Sequence, residues 1–578
     1  KFLDLKASQW NQDDTVNAGA GDDTIYIKDI GTVVDSDFAN FSSVETLKLF
    51  NKGSGDSTTT LSSNALSAGI QRFVGGIKSN DTIDVQNFEG NLTINSRGGN
   101  DVITTQSGNY QLNVDAGSGK DIVSVTSEYF NNADNIDGGS GTDILKITGV
   151  DAIVDAAFTS TSGFEVIKLD DSSNSITIGS TFKSNNSGFK KLLSYAGDDV
   201  LNFEGLDMSF KLFAGDGNDI ITTSSQSTNL SVDAGSGSDL ISVATSKFNK
   251  NDSIAGGFGS DTLSISGSGS VINKDFTNLS SVEILQVSGI TNLNLGKKAS
   301  SAGITEVIVS GSIDTVDLSK FNNSVTLAVD SGDVEVSLGN SESTVKISST
   351  NWDSSDSISG GSAIDTLEVI DDDAAVVDSD FTNVSGIEKL VTSDGSNVLT
   401  LGTKADDSGL ETVTGGTGVD TIDASAFVGQ LTIDAGADAD VITTQSAAAN
   451  LSVDAGDGAD TINVTGANLA AADTIAGGAG DDSIVLSDNA QTIGDAAFDN
   501  ISSVEAFTTA DGVNNLTLGT NADDSGLQTV TGGSGVDTID ASAFVGQLTI
   551  VAGADADVIT TQDAAANLAV DAGDGADT

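Results

Sequence analysis

The sequence predicts an all-β fold, a parallel β-solenoid with about 20–23 residues in each coil. The first observation is a repeated acidic turn, in which small residues are closed by one aspartate and followed by β-branched residues. In residues 415–486 these aspartates stand 20, 20 and 22 residues apart. The second observation is the absence of proline from the sequence, because proline would break the backbone ladder of an interior strand. A fixed period of this length is typical of coils that stack on one another.

The same spacing returns along the chain. Short runs rich in Val and Ile follow the acidic turns, and we place the strands there. Helices should be few. Further series with steps of 20, 20 and 22 residues, or of 20 and 20 in the last series, are Asp81, Asp101, Asp121 and Asp143; Asp199, Asp219, Asp239 and Asp261; and Asp537, Asp557 and Asp577.

A longer repeat is superimposed on the coils. A second motif, of the form DSDFANFSSVETLKL, recurs around Val44, Phe164, Val282, Ile387 and Val504, at spacings of 120, 118, 105 and 117 residues. These spacings predict tandem units of about 117 residues, each built from several coils. The predicted units are residues 1–80 (a partial first unit), 81–198, 199–313, 314–419 (degenerate), 420–536 and 537–578 (a truncated sixth unit).

Composition excludes several classes of function. The formal net charge is −60, from 84 acidic and 24 basic residues, which argues against nucleic-acid binding and requires neutralising cations. The sequence has no His and no Cys, so it offers neither the usual general base nor a thiol nucleophile. No apolar run approaches the ~20 residues that span a bilayer. We therefore expect a protein that is not an enzyme and has no membrane span.

The acidic turns have the chemistry of a calcium site. Their pattern is G/A-G-x-G-x-D, in which glycine allows positive φ and turns backbone carbonyls inward, and aspartate adds a carboxylate oxygen. Calcium takes about six to eight such oxygens. Because one turn supplies only part of that set, an ion must lie between two stacked turns. The predicted calcium ligands are Asp23, Asp121, Asp143, Asp219, Asp239, Asp261, Asp420, Asp440, Asp460, Asp482, Asp537, Asp557 and Asp577, with Gly139, Gly141, Gly257, Gly259, Gly416, Gly418, Gly478, Gly480, Gly533 and Gly535.

Some positions are less regular. Asp438 and Asp555 replace a glycine in the turns of Asp440 and Asp557, and the turns of Asp101 and Asp199 lack the first glycine, so these four sites are expected to be weak or empty. The alternative for the whole series is a set of ordinary Gly-Asp turns without an ion. A glutamate that recurs once per long unit is explained equally by a solvent-facing position and by a contact site: Glu45, Glu165, Glu283, Glu388 and Glu505.

The turns resemble the nonapeptide GGxGxDxUx of the repeats-in-toxin (RTX) family. Matching hexapeptides occupy residues 138–143, 256–261, 415–420, 477–482 and 532–537, and Ile422 stands at the large apolar position of its repeat. The resemblance implies an RTX-like β-helix or β-roll loaded with several Ca²⁺ ions. This chain departs from the family in repeating the motif only every 20 residues or so. That spacing predicts one column of ions along one edge.

Long Cys-free solenoids with such repeats are similar to bacterial surface-layer (S-layer) proteins exported by type I secretion. The resemblance implies an extracellular structural protein of the bacterial cell surface, stabilised by calcium, that self-associates into a lattice or filament. A surface polysaccharide is a further candidate partner. Two alternatives remain: an RTX adhesin whose solenoid is a stalk or binding arm, and the repeat tail of a secreted enzyme.

Overall fold

The computed structural model describes residues 2–50, 55–223, 229–445, 450–561 and 568–578. The chain divides into two compact units, residues 1–286 with 301–304, and residues 287–300 with 305–578. Both units are built from parallel strands stacked coil upon coil, which confirms the predicted all-β solenoid. The bounds of the six predicted repeat units stay a prediction.

The first unit contains three principal sheets, and in each the strands follow one another in chain order. The first sheet contains Phe2–Leu5, Thr24–Ile27, Thr46–Leu49, Arg72–Val74, Leu92–Asn95, Leu112–Asp115, Asn135–Asp137 and Thr161–Ser162. The second contains Thr32–Val33, Ser57–Thr60, Asp81–Asp84, Val102–Thr104, Ile122–Thr126, Ile144–Thr148, Val166–Lys168, Lys191–Leu193, Lys211–Asp216, Ser231–Ser236, Ser253–Phe258 and Leu279–Ser280. The third includes Ser175–Thr177, Val200–Asn202, Ile220–Thr222, Leu240–Ala244 and Thr262–Ser266. Smaller strands are Val16–Asn17, Phe41–Ser42, Ser118–Gly119, Ser140–Gly141 and Ser270–Ile272; Ile284–Ser288 spans the division between the units.

The second unit follows the same plan with four sheets. One includes Glu306–Ser310, Thr326–Asp330, Thr344–Ile347, Thr366–Val369, Lys389–Thr392, Thr412–Thr414, Thr432–Asp434, Ser452–Asp454, Thr474–Ala476 and Ile501–Ser502. Another includes Asn292–Gly296, Thr315–Lys320, Glu335–Ser337, Ser357–Ser359 and Val384–Ser385. A third contains Ala375–Val377, Val398–Thr400, Thr421–Asp423, Val441–Thr443, Thr461–Val464, Ser483–Leu486, Ala506–Thr508, Thr529–Thr531, Leu548–Val551 and Leu568–Asp571. The fourth contains Thr492–Ile493, Asn515–Thr517, Thr538–Ala541 and Val558–Thr561.

The core is a set of in-register aliphatic columns. Side chains on a strand alternate between the two faces of the sheet, so one residue in two can point inward. Ile442, for example, pairs with Ile422 in the preceding coil and with Ile462 in the next, and all three are fully buried. Stacking identical β-branched residues buries apolar surface in every coil, which explains the Val and Ile enrichment of these runs.

Short helices interrupt the coils. The α-helices are Ser63–Ala68, Ser180–Asn185, Lys297–Ser301, Thr403–Asp407 and Thr520–Asp524, and the 3₁₀ helices are Ala7–Gln9, Asp35–Phe38, Asp155–Phe158, Asn273–Phe276, Asp378–Asn383 and Asp495–Phe498. Five of the 3₁₀ helices carry the phenylalanine of the long repeat motif, which is buried in each case. In the described part of the chain, no helix has the length and apolarity needed to cross a membrane.

Candidate calcium site

The aspartates of the acidic turns form a ladder with one rung per coil. Asp420, Asp440, Asp460 and Asp482 each immediately precede a strand, and each is at most 1% exposed. The backbone N–H of Asp420 donates to Oδ1 of Asp440 at 2.7 Å, and that of Asp440 to Oδ1 of Asp460 at 2.7 Å. The N–H of Asp460 donates in turn to Oδ1 of Asp482 at 2.9 Å. Successive carboxylates are therefore held in line by the backbone of the coil before them.

The same ladder occurs in the other acidic series. Each step is a hydrogen bond from the N–H of one aspartate to Oδ1 of the next, with N···O distances of 2.7–3.0 Å. These ladders contain Asp81, Asp101, Asp121 and Asp143; Asp199, Asp219, Asp239 and Asp261; and Asp537, Asp557 and Asp577. The predicted ligands thus lie together in columns within each series.

The recurring glutamates end the ladders. Their Oε2 atoms accept the N–H of the last aspartate at 2.7–2.9 Å, and the side chains are half-buried. The structure thus gives these residues a role that was not weighed from sequence. The pairs are Glu45 with Asp23, Glu165 with Asp143, Glu283 with Asp261, Glu388 with Asp365, and Glu505 with Asp482.

Three ladders begin at an asparagine. The N–H groups of Asn174, Asn397 and Asn514 donate to Oδ1 of the first aspartate at 2.6–2.8 Å. These residues are not predicted from sequence because they lie outside the glycine-rich motif. They stand 25, 23 and 23 residues before Asp199, Asp420 and Asp537, a displacement of one coil that only the strand register reveals.

Most rungs leave one carboxylate oxygen without a partner. The Oδ2 atoms of twelve aspartates are buried and accept no hydrogen bond from the described residues: Asp101, Asp121, Asp143, Asp219, Asp239, Asp261, Asp420, Asp440, Asp460, Asp482, Asp537 and Asp557. A buried charge without a partner costs several kcal/mol or more, and the group avoids that cost by binding a cation or a proton. The unpartnered Oδ2 atoms therefore mark, along each ladder, the places where a bound cation would be stabilising.

The pKa values of the ladder carboxyls reflect this shortage. Burial raises the pKa of Asp440 to about 7, with smaller contributions from the charges of Asp420, Asp460 and Asp438. Burial likewise raises the pKa values of Asp101 and Asp219 to about 7, and those of Asp121, Asp143, Asp239 and Asp460 to about 6. Near neutral pH a bound cation or a proton therefore readily neutralises the negative charge of these carboxyls.

Glycine is sterically required where turns stack. Gly478 and Gly480 have φ values of +107° and +150°, and a Cβ atom on Gly480 would lie 1.4 Å from the carbonyl oxygen of Gly458 in the preceding coil. No side chain fits such an approach of two backbones. The predicted positive φ is found at Gly139, Gly141, Gly257, Gly259, Gly418, Gly478, Gly480 and Gly535.

Two predicted glycines depart from that conformation. Gly416 and Gly533 are absent from the residues with positive φ. Both belong to the first acidic turn after an asparagine turn. Their nearest backbone neighbours are the carbonyl oxygens of Ser393 and Ala510, which precede those asparagines by four residues. The different backbone of the asparagine turn accounts for the difference.

Two of the less regular turns have an aspartate where the motif has a glycine. Asp438 and Asp555 adopt φ values of +74° and +80°, a left-handed conformation that aspartate tolerates better than most residues. Asp440 and Asp557 accordingly remain buried rungs, each 1% exposed. Asp101 is also fully buried and is one of the twelve with an orphan oxygen.

Other rungs have an internal donor in place of a cation. The hydroxyl of Ser194 donates to Oδ2 of Asp199. The N–H of Gly76 donates to Oδ2 of Asp81 at 2.9 Å, and that of Gly361 to Oδ2 of Asp365 at 2.7 Å. These carboxylates have less need of a metal ion than their neighbours.

The donor set fits calcium. In the described part of the chain no three acidic side chains converge on one point. An ion in the ladder would therefore take most of its ligands from backbone carbonyls and one or two from carboxylates. An all-oxygen set of this kind suits Ca²⁺, which accepts irregular geometry and mixed carbonyl and carboxylate ligands.

Comparison with known proteins supports this assignment. The family model for the RTX calcium-binding nonapeptide repeat matches four copies, over residues 11–26, 249–264 and 469–489. These segments contain the turns of Asp23, Asp261 and Asp482. No curated protein matches the chain.

Among solved structures, the chain matches one described as "Plant peptide hormone receptor RGFR1 in complex with RGF2" at 9% identity, over 89% of this chain and 88% of that one. The TM-score is 0.22, so this likeness carries no structural argument. The matched repeats and the stacked parallel strands fit an RTX β-roll protein, and RTX nonapeptide repeats bind calcium ions.

Proposed function

We propose that this chain is a calcium-stabilised structural protein of the bacterial cell surface, a subunit of a surface layer or surface filament. One observation carries the proposal: within four ladders that have one aspartate per coil, twelve buried carboxylate oxygens accept no hydrogen bond from the described residues. RTX repeats are typical of secreted proteins. A solenoid whose ligands are spread over its length is suited to a load-bearing or lattice-forming role.

The ladder couples folding to calcium. Each carboxylate is held by the N–H of the preceding coil, so a rung is formed only when two coils are stacked. Bound calcium supplies the positive charge that the buried oxygens lack. Extracellular calcium modules commonly have Kd values on the order of 10⁻⁴–10⁻³ M. Such affinities would leave the fold only weakly stable in a low-calcium cytoplasm, which suits export by type I secretion, and would stabilise it outside.

We propose a non-catalytic role for the acidic residues. The carboxylates repeat in register with the coils, are buried and accept backbone N–H groups, whereas a general acid or base must lie within hydrogen-bond reach of a proton on a substrate. Because the carboxylates repeat along the chain in this way, the pattern favours structure over chemistry at a single site.

One sheet face supports self-association. Lys146 pairs in register with Lys168, and Lys191 with Lys211, on four consecutive strands. Lysine is scarce in this chain, and like charges opposite each other destabilise a sheet. None of the four forms an ion pair with another described residue. The acidic surface of a second copy is the complementary partner that we propose for this lysine face.

The proposal is tested by circular dichroism and electron microscopy of the purified chain with calcium and with a chelator. We expect ordered sheets or filaments to disappear in chelator and the urea midpoint of the β signal to fall sharply, and both changes to reverse when calcium is restored. Assembly that persists in chelator would contradict the proposal. Folded solenoids that never associate would point instead to the stalk or arm of an adhesin.

The lysine face is tested separately with Lys146→Glu/Lys168→Glu. The matched control is Lys250→Glu/Lys320→Glu, which makes the same change of charge at two exposed positions outside the acidic turns. We expect the first double variant to fold with calcium but to assemble at a higher protein concentration, or not at all. Equal assembly of both variants would exclude the lysine face as the interface.

A further inference from the structure

The asparagines that begin three ladders have side chains as buried as the aspartates. Asn174, Asn397 and Asn514 are 6%, 0% and 3% exposed. Each lies one coil before the first aspartate of its ladder and donates its backbone N–H to that aspartate, as every aspartate rung does to the next. They therefore occupy the rung position without carrying a charge.

The side-chain amide of Asn397 is fully engaged. Its Nδ2 donates to the carbonyl oxygens of Ser393 and Gly395, both at 3.0 Å, and to Oδ1 of Asp420 at 3.0 Å. Its Oδ1 accepts the N–H of Ala374 at 3.0 Å. One nitrogen thus bridges two carbonyls of its own turn and the carboxylate of the next coil.

The other two asparagines repeat this geometry. Nδ2 of Asn514 donates to the carbonyls of Ala510 at 2.8 Å and Gly512 at 3.1 Å, and to Oδ1 of Asp537 at 3.1 Å. Nδ2 of Asn174 donates to the carbonyls four and two residues before it, those of Asp170 and Ser172, and to Oδ1 of Asp199 at 3.1 Å. In three separate turns, an amide nitrogen therefore lies among equivalent oxygens: two carbonyls of its own turn and Oδ1 of the aspartate in the next coil.

This nitrogen corresponds to the orphan atom of the aspartate rungs. Asn397 uses Oδ1 to accept the N–H of the preceding coil, as Asp440 does, so its Nδ2 takes the place of the aspartate Oδ2. An amide nitrogen carries two hydrogens to donate, whereas a carboxylate oxygen can only accept. The amide therefore supplies a donor to two carbonyls of its own turn and to Oδ1 of the next aspartate, where an aspartate rung would need a cation; Oδ2 of Asp420 and Asp537 still accepts no hydrogen bond from the described residues.

We propose that Asn174, Asn397 and Asn514 replace a bound cation with their side-chain amides, and so form metal-free first rungs that divide the calcium column into separate blocks. This inference rests on calcium binding by the acidic turns. Two of the blocks, Asp199 to Asp261 and Asp420 to Asp482, each run from an asparagine to a glutamate and hold four aspartates.

The test converts the amides to carboxylates and counts ions. Bound calcium is measured by equilibrium dialysis on the full chain, for the parent, Asn397→Asp, Asn514→Asp and the double variant. We expect each substitution to add one ion and to lower the urea midpoint in chelator, with recovery in excess calcium. The control Asn322→Asp makes the same change at an exposed loop position and should leave the count unchanged.

The reciprocal variant Asp440→Asn covers the case in which a new buried carboxylate prevents folding. It should reduce the calcium count and raise the urea midpoint in chelator, because an amide then replaces an unpartnered carboxylate. An unchanged count in both Asn397→Asp and Asp440→Asn, with the parent binding calcium, would overturn the inference. A parent that binds no calcium would instead refute calcium binding by the turns.

Discussion

Two sets of aspartates in this protein, one half-buried and one fully buried, have opposite electrostatics. Asp155 caps the helix Ser180–Asn185, where its carboxylate accepts the N–H groups of Gly179, Thr181 and Phe182 at 2.7–3.1 Å. Burial opposes ionisation of Asp155, but these hydrogen bonds outweigh it and lower its pKa. In the ladder, burial and neighbouring charges raise the pKa of Asp440 to about 7.

The difference lies in the number of donors. A capping carboxylate faces the free N–H groups of a helix start and needs no metal. Asp440, in the ladder, accepts one N–H at Oδ1 and, from the described residues, no hydrogen bond at Oδ2. The comparison shows that a high aspartate content does not by itself indicate metal binding, whereas a row of carboxylates lacking donors does. Asp35, Asp378 and Asp495 cap helices in the same way as Asp155.

The largest expected effect is a reversal of the pH dependence by calcium. Ladder carboxyls with pKa values of about 6 to 7 in the folded chain bind protons more tightly than in the unfolded chain, where 3.8 applies. Their stabilising contribution is complete below pH 3.8 and is lost as pH rises through 7. In chelator, the urea midpoint should therefore be higher at pH 5 than at pH 8.

Calcium should change the sign of that dependence. Protons compete for the same oxygens, so calcium affinity should fall from pH 8 to pH 5 and binding should release protons. Isothermal titration calorimetry in two buffers of different ionisation enthalpy measures that release. A metal-free chain that is more stable at pH 8 would contradict the raised pKa values.

Removal of one rung should have the next largest effect. In saturating calcium, Asp440→Ala should lower the free energy of unfolding by about 3–5 kcal/mol, the scale for removing one partner of a buried ion pair. In chelator the same substitution should cost little, because it also removes an unpartnered charge. Urea titrations in both conditions measure the difference, and an equal loss in both would place Asp440 outside the calcium site.

Removal of one helix cap should have a smaller effect that does not depend on calcium. Asp155→Ala should cost about 1 kcal/mol, as for other caps, in calcium and in chelator alike. Since the pKa of Asp155 is lowered, its contribution is present above its usual pKa of 3.8 and is lost as pH falls through the folded value. A loss seen only with calcium would remove the distinction between the two sets.

The smallest effect should come from the glutamate that ends a ladder. Glu505→Ala removes the acceptor of the Asp482 N–H and should cost about 1 kcal/mol, the usual net value of a hydrogen bond. Glu505→Gln keeps an acceptor oxygen and should cost less than half as much. Calcium counts on both variants decide whether this glutamate is also a ligand: an unchanged count assigns it the backbone role alone.

The coil and its repeated turn could be predicted from sequence because both are local. The spacing of Asp420, Asp440 and Asp460 gave the coil length, and the isoleucine two residues after each aspartate gave the core column. The ladder ends could not be found this way. Asn397 and Glu505 become rungs only through the register between coils, in segments without the glycine motif.

The roles of individual aspartates were also beyond sequence alone. Asp155 and Asp440 are the same residue type in short polar segments, and only the position of N–H donors in the adjacent coil separates a cap from a rung. The conformation of Gly416 depends in the same way on the coil beneath it. The local motif predicts that a coil carries an acidic turn, and the hydrogen-bond donors of the neighbouring coil determine the role of its aspartate.

Anomalous diffraction from crystals grown with calcium tests the central claim most directly. The account predicts peaks in a column beside the Oδ2 atoms of Asp440, Asp460 and Asp482, and none at the amide of Asn397. A map without peaks beside those oxygens, in crystals that contain calcium elsewhere, would contradict it.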